Sequence, residues 1–458
     1  MSTKASEVVI VGGSVAGLFA AAALTGLVDK VTLVERDELA VGPEAHKGVP
    51  QGRQIHVTLP VGLRQANELI PGLDSMLEAE GAPTIDLGGD PAFYISGVGW
   101  QQRVAADVPL TCFSRPLFEW VVRRHVAALP NVEIRQGSVA GLVASEDGSR
   151  VIGVRLNGQD QEILSAELVI DASGRGSKAP RWFEEIGYEA PAEQQVRAYA
   201  GYAGQPVRVP DGLLPNGLCG IAAHPSVNNI RGGMIWPIEG GKHMMVAVGM
   251  AKDYPPANRE GVLEFLRGTS TPLLAELAVK CEPEGDVTTY RMPGNQLRHW
   301  ESLDRRPEGF IAIGDAVASF NPIYAQGMTI AIFAATALRD ELRASEGDNL
   351  VGFAQRYHQA VAPTYEGAFA QAASADVLYP GVEIEDFTLP EAEGGEYFEH
   401  LERLTTQDPE VAIAWTRMVG FMEHEGLFTD AMQKKVEAWV AHGAPITANT
   451  DPNDPPAA

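Results

Sequence analysis

The first residues in the chain whose types and spacing could do chemistry are Gly12-Gly13-Ser14-Val15-Ala16-Gly17, followed by Glu35 and Arg36. A turn of small residues at the head of a helix offers unpaired N–H groups and the positive end of the helix dipole, which together hold a pyrophosphate, while an acidic side chain at the end of the next strand accepts from a ribose. Positioning them needs three elements, and the sequence supplies all three. Glu7–Gly12 reads as a β-run, Leu18–Leu24 as an Ala-rich helix, and Val31–Val34 as a second strand ending in Glu35. Ser14 stands where the backbone comes closest to a pyrophosphate and a second glycine is usual; a small residue fits there, and Gly13 leaves the turn free to adjust. The alternative is a turn that only packs helix on strand. Gly12, Gly13, Ser14, Ala16, Gly17, Glu35 and Arg36 are the candidate cofactor-binding residues of this segment.

Length and charge bound what such a site could serve. With 458 residues the chain should form two or three interleaved domains, and 45 % hydrophobic with 21 % charged residues is the balance of a globular enzyme. A formal charge of −25, from 60 acidic against 35 basic side chains, repels phosphate backbones and anionic lipids. Nucleic acid is therefore not an expected partner. No signal-peptide layout precedes the first strand, and the longest apolar stretch, Val15–Val28, is interrupted at Thr25 and Gly26 and too short to span a bilayer, so a soluble cytoplasmic protein without stable membrane insertion is expected. Cys112, Cys219 and Cys281 form no CxxC pair and read as buried neutral thiols. The ten histidines show no HxxxH or HExxH spacing, and no metal is expected.

Further along, short alternating runs at Val139–Ala144, Val151–Leu156 and Glu162–Leu164 predict a small antiparallel meander. It leads into Leu168-Val-Ile-Asp171-Ala-Ser-Gly174-Arg175-Gly176-Ser, a buried strand ending in a glycine-rich turn. Residues 200–290 are rich in β-formers, Gly and Pro and read as a separate sheet. Phe310–Ile313 is another strand, followed by Gly314-Asp315-Ala316, a loop at Phe320–Gln326, and a helix from Gly327 to Leu342. The expected layout is α/β: a discontinuous Rossmann-like cofactor domain over 1–82, 112–178 and 290–345, an interleaved mixed-sheet substrate domain over 83–111 and 179–289, a helical region over 346–444 that either caps the site or forms a dimer face, and a disordered Pro/Asn/Asp tail over 445–458.

Taken in order, the Gly12–Gly17 turn with Glu35, the Asp171-Ala-Ser-Gly-Arg-Gly-Ser run and the Gly314-Asp315…Pro322…Gly327 run resemble the FAD-dependent monooxygenases of the p-hydroxybenzoate hydroxylase fold, over most of residues 7–345. More narrowly, Gly48-Val-Pro-Gln-Gly-Arg53-Gln-Ile-His56, Cys112-Phe-Ser-Arg115 and Phe320-Asn-Pro-Ile-Tyr324-Ala-Gln-Gly-Met328 resemble the flavin-dependent epoxidases of polyether ionophore biosynthesis. The resemblance implies FAD as cofactor and O₂ as co-substrate. It implies Asp315 on the ribityl chain, a rigid Pro322–Gly327 loop against the isoalloxazine, and the helix N-terminus at Gly327 and Met328 aimed at the ring carbonyl where charge accumulates on reduction. Arg115 and Arg53 would stand near the diphosphate and the ribityl chain, each with a surface salt bridge as its alternative. Asp171 and Gly174 would shape the turn near the flavin, Arg175 would contact NAD(P)H or lie exposed, and His56 would be a proton donor near the flavin or a structural histidine.

Within that family a C4a-hydroperoxyflavin passes its distal oxygen to an electron-rich carbon. An alkene needs no activating base, whereas a phenol is helped by one, and no Tyr or His dyad for it can be read here. Alkene epoxidation of an apolar substrate, such as a polyene polyketide, is the reading this favours, with Trp100 and Trp236 as candidate substrate residues. An aromatic hydroxylase, an alkene reductase, a halogenase and a non-catalytic flavin binder are the alternatives; Trp236-Pro-Ile is only a fragment of the WxWxIP run of halogenases. No second nucleotide-binding unit is apparent in 180–290, so electrons come either from transiently bound NAD(P)H or from a separate flavin reductase.

Overall fold

The computed structural model describes residues 6–158, 161–345, 350–389, 395–423 and 425–457. The first layer is built from β1 (Glu7–Val11), α1 (Val15–Ala23), β2 (Lys30–Glu35), α2 (Arg115–Ala127), β3 (Val132–Gln136), β4 (Leu168–Asp171), β5 (Phe310–Ala312), α3 (Gly327–Ala344) and α4 (Phe353–Asp376). Its sheet runs β5-β4-β1-β2-β3 and is parallel throughout. After Glu7 every residue of β1 is buried, as a strand covered on both faces requires. α1 packs against α2 and α3, and α4 against α3. The mixed α/β architecture is the one expected from the sequence, and the meander forms at Val139–Ala144, Val151–Leu156 and Ile163–Ser165.

The second layer is an eight-stranded mixed sheet that draws on both expected substrate segments. Pro91–Ile95 runs parallel to Gly220–Ala223, and Arg231–Pro237, His243–Gly249 and Ala200–Arg208 continue it antiparallel. Thr288–Met292 pairs with Ala200–Arg208, so this sheet extends past the boundary expected at residue 289. A smaller four-stranded sheet, Ala318–Ser319, Asn295–Arg298, Glu193–Arg197 and Glu383–Glu385, ties the two layers together.

The C-terminal region divides in two. α4 belongs to the core of the first layer: His358 Nε2 accepts from Ala312 N at 3.1 Å and Tyr365 Oη from Gly314 N at 2.8 Å, anchoring the end of β5 and the turn after it. Helices Gly395–Leu404, Pro409–Val419 and Asp430–Ala441 form a small cap around Leu401, Leu404, Val411, Leu427, Met432 and Val436. The tail expected to be disordered over 445–458 is instead docked, over its described residues 445–457, against the eight-stranded sheet and its surroundings. Asn449 O accepts from Trp100 N at 2.8 Å, Asp451 O from Trp100 Nε1 at 2.8 Å, Pro455 O from Asn216 Nδ2 at 2.7 Å, and Pro452 O from Thr271 Oγ1 at 2.6 Å. Side chains of other elements satisfy its backbone, so it stays ordered without periodicity of its own. Among the described residues no helix is long and apolar enough to cross a membrane.

Candidate active site

The turn between β1 and α1 is shaped by contacts that only glycine allows. Gly12 has φ +107°, and a Cβ there would meet Ala172 O at 2.5 Å; one on Gly17 would meet Gly12 O at 1.9 Å. Gly13 N donates to Glu35 Oε2 at 2.7 Å and Asp37 N to Glu35 Oε1 at 2.8 Å, so Glu35 fixes the turn from the end of β2 and keeps lone pairs for a further donor. The serine at the glycine position is held by α2: Ser14 Oγ donates to Glu119 Oε2 at 2.8 Å and accepts from Arg115 Nη2 at 2.6 Å.

Behind this turn lies a charged chain in which Arg115 is joined by Glu119, His46 and Asp37, residues that the glycine-turn pattern does not announce. Glu119 accepts from Arg115 Nη2 at 3.1 Å and pairs through Oε1 with His46 Nε2 at 2.8 Å, while His46 Nδ1 meets Asp37 Oδ2 at 2.9 Å. Burial alone would raise the Glu119 carboxyl, but the His46 hydrogen bond and the Arg115 charge outweigh it and hold it at about 2. The Glu119 hydrogen bond, opposed by burial and helped by Asp37, raises His46. The one local signal was the Arg115–Glu119 spacing of four on a helix. Arg115 Nε is buried and has no hydrogen-bond partner among the described residues.

Across the cavity, Gly314 takes φ +65°, and a Cβ there would meet Ala16 Cβ at 2.6 Å, so the turn after β5 closes directly on α1. No hydrogen bond to the Asp315 carboxylate occurs among the described residues; burial raises its pKa against the pull of Arg115 and Arg175. Asp171 is fully buried and spent on its own turn, accepting from Ser173 N at 3.0 Å and from Ser177 Oγ, whereas Gly174 reaches the cavity. Arg175 is neither exposed nor free: it donates to Gly294 O at 2.6 Å and to Ser319 Oγ. Pro322, Gly327 and Met328 line the same cavity, with the N-terminus of α3 opening onto it.

That cavity, about 1160 Å³, is continuous from the Gly12 turn to an apolar chamber. Its chamber end is walled by Leu87, Phe93, Leu110, Met234 and Trp236 and by Trp415, Met418 and Phe421 from the C-terminal region, which thus forms part of the cavity wall. Trp236 lies 5.8 Å from Phe93, ring to ring. Trp100 does not line the cavity. It is fully buried in the core beneath the docked tail, an environment that an aromatic's spacing cannot distinguish from a pocket wall. Arg36 reaches the cavity with a largely exposed side chain, whereas Arg53 is exposed and outside it. His56 lines the chamber, its Nδ1 3.0 Å from Gln54 O; burial first and Arg115 second push its pKa down to about 4, so it is neutral at pH 7 and not a cationic acid. Burial lowers His224 as well. The three cysteines are free, and burial pushes the thiols of Cys112 and Cys219 up to about 12 and that of Cys281 up to about 11.

The donor and acceptor set suits an FAD. Gly12, Ser14, Arg115 and Asp315 line one end of the cavity, Arg115 Nε is buried without a partner among the described residues, and no hydrogen bond there reaches the Asp315 carboxylate, a set of free donor and acceptor that fits a diphosphate and a sugar-chain hydroxyl.

No family model matches the chain. The flavin-dependent brominase Bmp2 superposes on it with a TM-score of 0.67 at 17 % identity, covering 95 % of this chain and 100 % of its own. PqsL, a probable FAD-dependent monooxygenase from Pseudomonas aeruginosa, gives 0.62 at 18 % identity, covering 81 % and 96 %. The tetrameric form of 2-methyl-3-hydroxypyridine-5-carboxylic acid oxygenase gives 0.59 at 18 %, covering 91 % and 98 %. At these identities the likeness is one of fold, that of flavin-dependent monooxygenases, on which different reactions are run. Protein Rv3254 of Mycobacterium tuberculosis is 32 % identical over 434 residues, covering 91 % of this chain and 89 % of its own. With a match of that extent and identity, this chain belongs to the same protein family as Rv3254.

Proposed function

We propose that the protein is an FAD-dependent monooxygenase that adds one oxygen atom from O₂ to an alkene of an uncharged, apolar substrate. The observation that carries the reading is one continuous cavity lined at one end by Gly12, Ser14 and Arg115, whose Nε is buried and unpartnered among the described residues, and at the other by apolar side chains. Bound FAD would supply the activation of O₂ and the transfer of the oxygen atom. The chain's own residues do the rest. Gly12, Gly13, Glu35 and Arg115 would hold the nucleotide end, Asp315 the sugar chain, and Pro322, Gly327 and Met328 the ring. Phe93, Met234, Trp236 and the cap residues Trp415 and Met418 would exclude water and align the substrate.

Alkene over phenol is favoured by the histidines. His56 at about 4 and the lowered His224 are too weakly basic to take a proton from a phenol whose ordinary pKa is about 10, and an alkene asks for no such base. Electrons would come from NAD(P)H or from a separate flavin reductase.

The test reduces the FAD-loaded protein chemically, without oxygen, then adds isotopically labelled O₂ with either a linear polyene or a phenol. A labelled product one oxygen atom heavier from the polyene is expected. Labelled product from the phenol alone would replace the alkene by an aromatic ring, and no labelled product from either would remove the oxygenation reading.

A further inference from the structure

Asp376, the last residue of α4, is a fully buried carboxylate behind the cavity wall. It accepts from Tyr324 Oη at 2.7 Å, from Asn295 Nδ2 at 2.8 Å and from Asn321 Nδ2 at 3.1 Å on each oxygen. The two amide nitrogens can only donate and the Tyr324 hydroxyl can donate as well, an arrangement that suits an ionised carboxylate. Burial raises its pKa, and the hydrogen bonds from Tyr324, Asn321 and Asn295 offset only part of that rise. Among the described residues no Lys or Arg pairs with it, so the negative charge is met by dipoles alone.

Two of those dipoles flank the turn on which the FAD reading depends. Asn321 and Tyr324 enclose Pro322 and line the cavity with it. Asn321 is fixed twice more: its N donates to Asn295 Oδ1 at 2.7 Å, and its Oδ1 accepts from Tyr202 Oη. The turn ends at Ala325 with φ +56°, a left-handed conformation that a residue with a side chain keeps only where its surroundings impose it. One carboxylate thus ties the end of α4, the strand Asn295–Arg298 and both sides of the turn into one unit.

Resting on the FAD reading above, we propose that Asp376 is a positioning residue that sets the Asn321–Ala325 turn against the redox ring and, through its uncompensated charge, makes the ring harder to reduce. A negative charge near a ring that gains negative charge on reduction disfavours the reduced form, in opposition to the N-terminus of α3 at Gly327.

The experiment measures the two-electron reduction equilibrium of bound FAD in the wild type, Asp376→Asn and Tyr324→Phe, together with the melting temperature of each apo form. Asp376→Asn should shift the equilibrium at least tenfold toward reduced flavin, about 30 mV for a two-electron couple. Tyr324→Phe removes a donor, leaves the charge, and should shift it toward oxidised flavin. Lowered melting temperatures with both equilibria within about threefold of wild type would make the network structural only and overturn the proposal, as would shifts of the same sign. Should Asp376→Asn fail to fold, the direction for Tyr324→Phe decides. A wild-type chain that binds no FAD overturns the parent reading as well, which separates that failure from an FAD-binding chain with unmoved equilibria.

Discussion

Replacing Glu119 by Gln tests the charged chain beneath the glycine turn. Glu119 is 4 % exposed and has Arg115, Ser14 and His46 within hydrogen-bond distance. A carboxyl held at about 2 in the fold against an ordinary 4.5 stabilises the folded state above the unfolded value and loses that contribution as pH falls toward the folded one. The difference is worth about 3 kcal/mol at pH 7 and roughly half of that or less at pH 3. Removing one member of a buried ion pair costs a similar amount, about 3–5 kcal/mol, because the others are left without a counter-charge. Urea unfolding of apo wild type and Glu119→Gln at both pH values measures it. The expected result is a gap of about 3 kcal/mol at neutral pH that shrinks by about half at pH 3. A gap below about 0.5 kcal/mol at pH 7, or one that does not change with pH, would refute the reasoning.

Asp315→Ala removes the acceptor left open beside β5 and should weaken FAD binding by about 1.5–3 kcal/mol, the range for a hydrogen bond to a charged group; equilibrium dialysis showing wild-type occupancy would take Asp315 out of the site. Deleting residues 446–458 removes the acceptors of Trp100, Asn216 and Thr271, hydrogen bonds worth about 0.5–1.5 kcal/mol each. The urea midpoint should fall clearly, and an unchanged midpoint would mean that the tail contributes nothing to the fold.

What the sequence made legible is local. The Gly12–Gly17 turn, Glu35, Gly314 and the helix starting at Gly327 follow from strand, turn and helix periods within short windows, and the structure has those elements where the pattern puts them. What it hid depends on distant pairings. Nothing near His46 announces that it will bridge Asp37 and Glu119, and nothing near Asp376 announces Asn321. The apolar face of Pro409–Val419 reads as helix, but its role as a cavity wall comes from packing over Gln101, whose Nε2 donates to Thr416 Oγ1 at 3.0 Å. The tail misled because a Pro- and Asp-rich stretch without periodicity looks unordered until the side chains that bind its backbone are known. Trp100 misled for the same reason, since what covers it lies 351 residues away.

That separation has a consequence for how the molecule comes into being. The chamber needs Phe93 and Leu110 from the early chain and Trp415 and Met418 from the late chain, and the sheet that carries Phe93 is backed by residues 449–456. During synthesis the β1–α1 turn and its neighbours are complete long before the wall and the backing emerge from the ribosome. A nascent chain thus presents an open, oily trough until residues 415–456 have emerged, a liability to self-association that vanishes only once they have packed. Expression yield should accordingly depend more on slow elongation or chaperone supply than the stability of the finished protein would suggest.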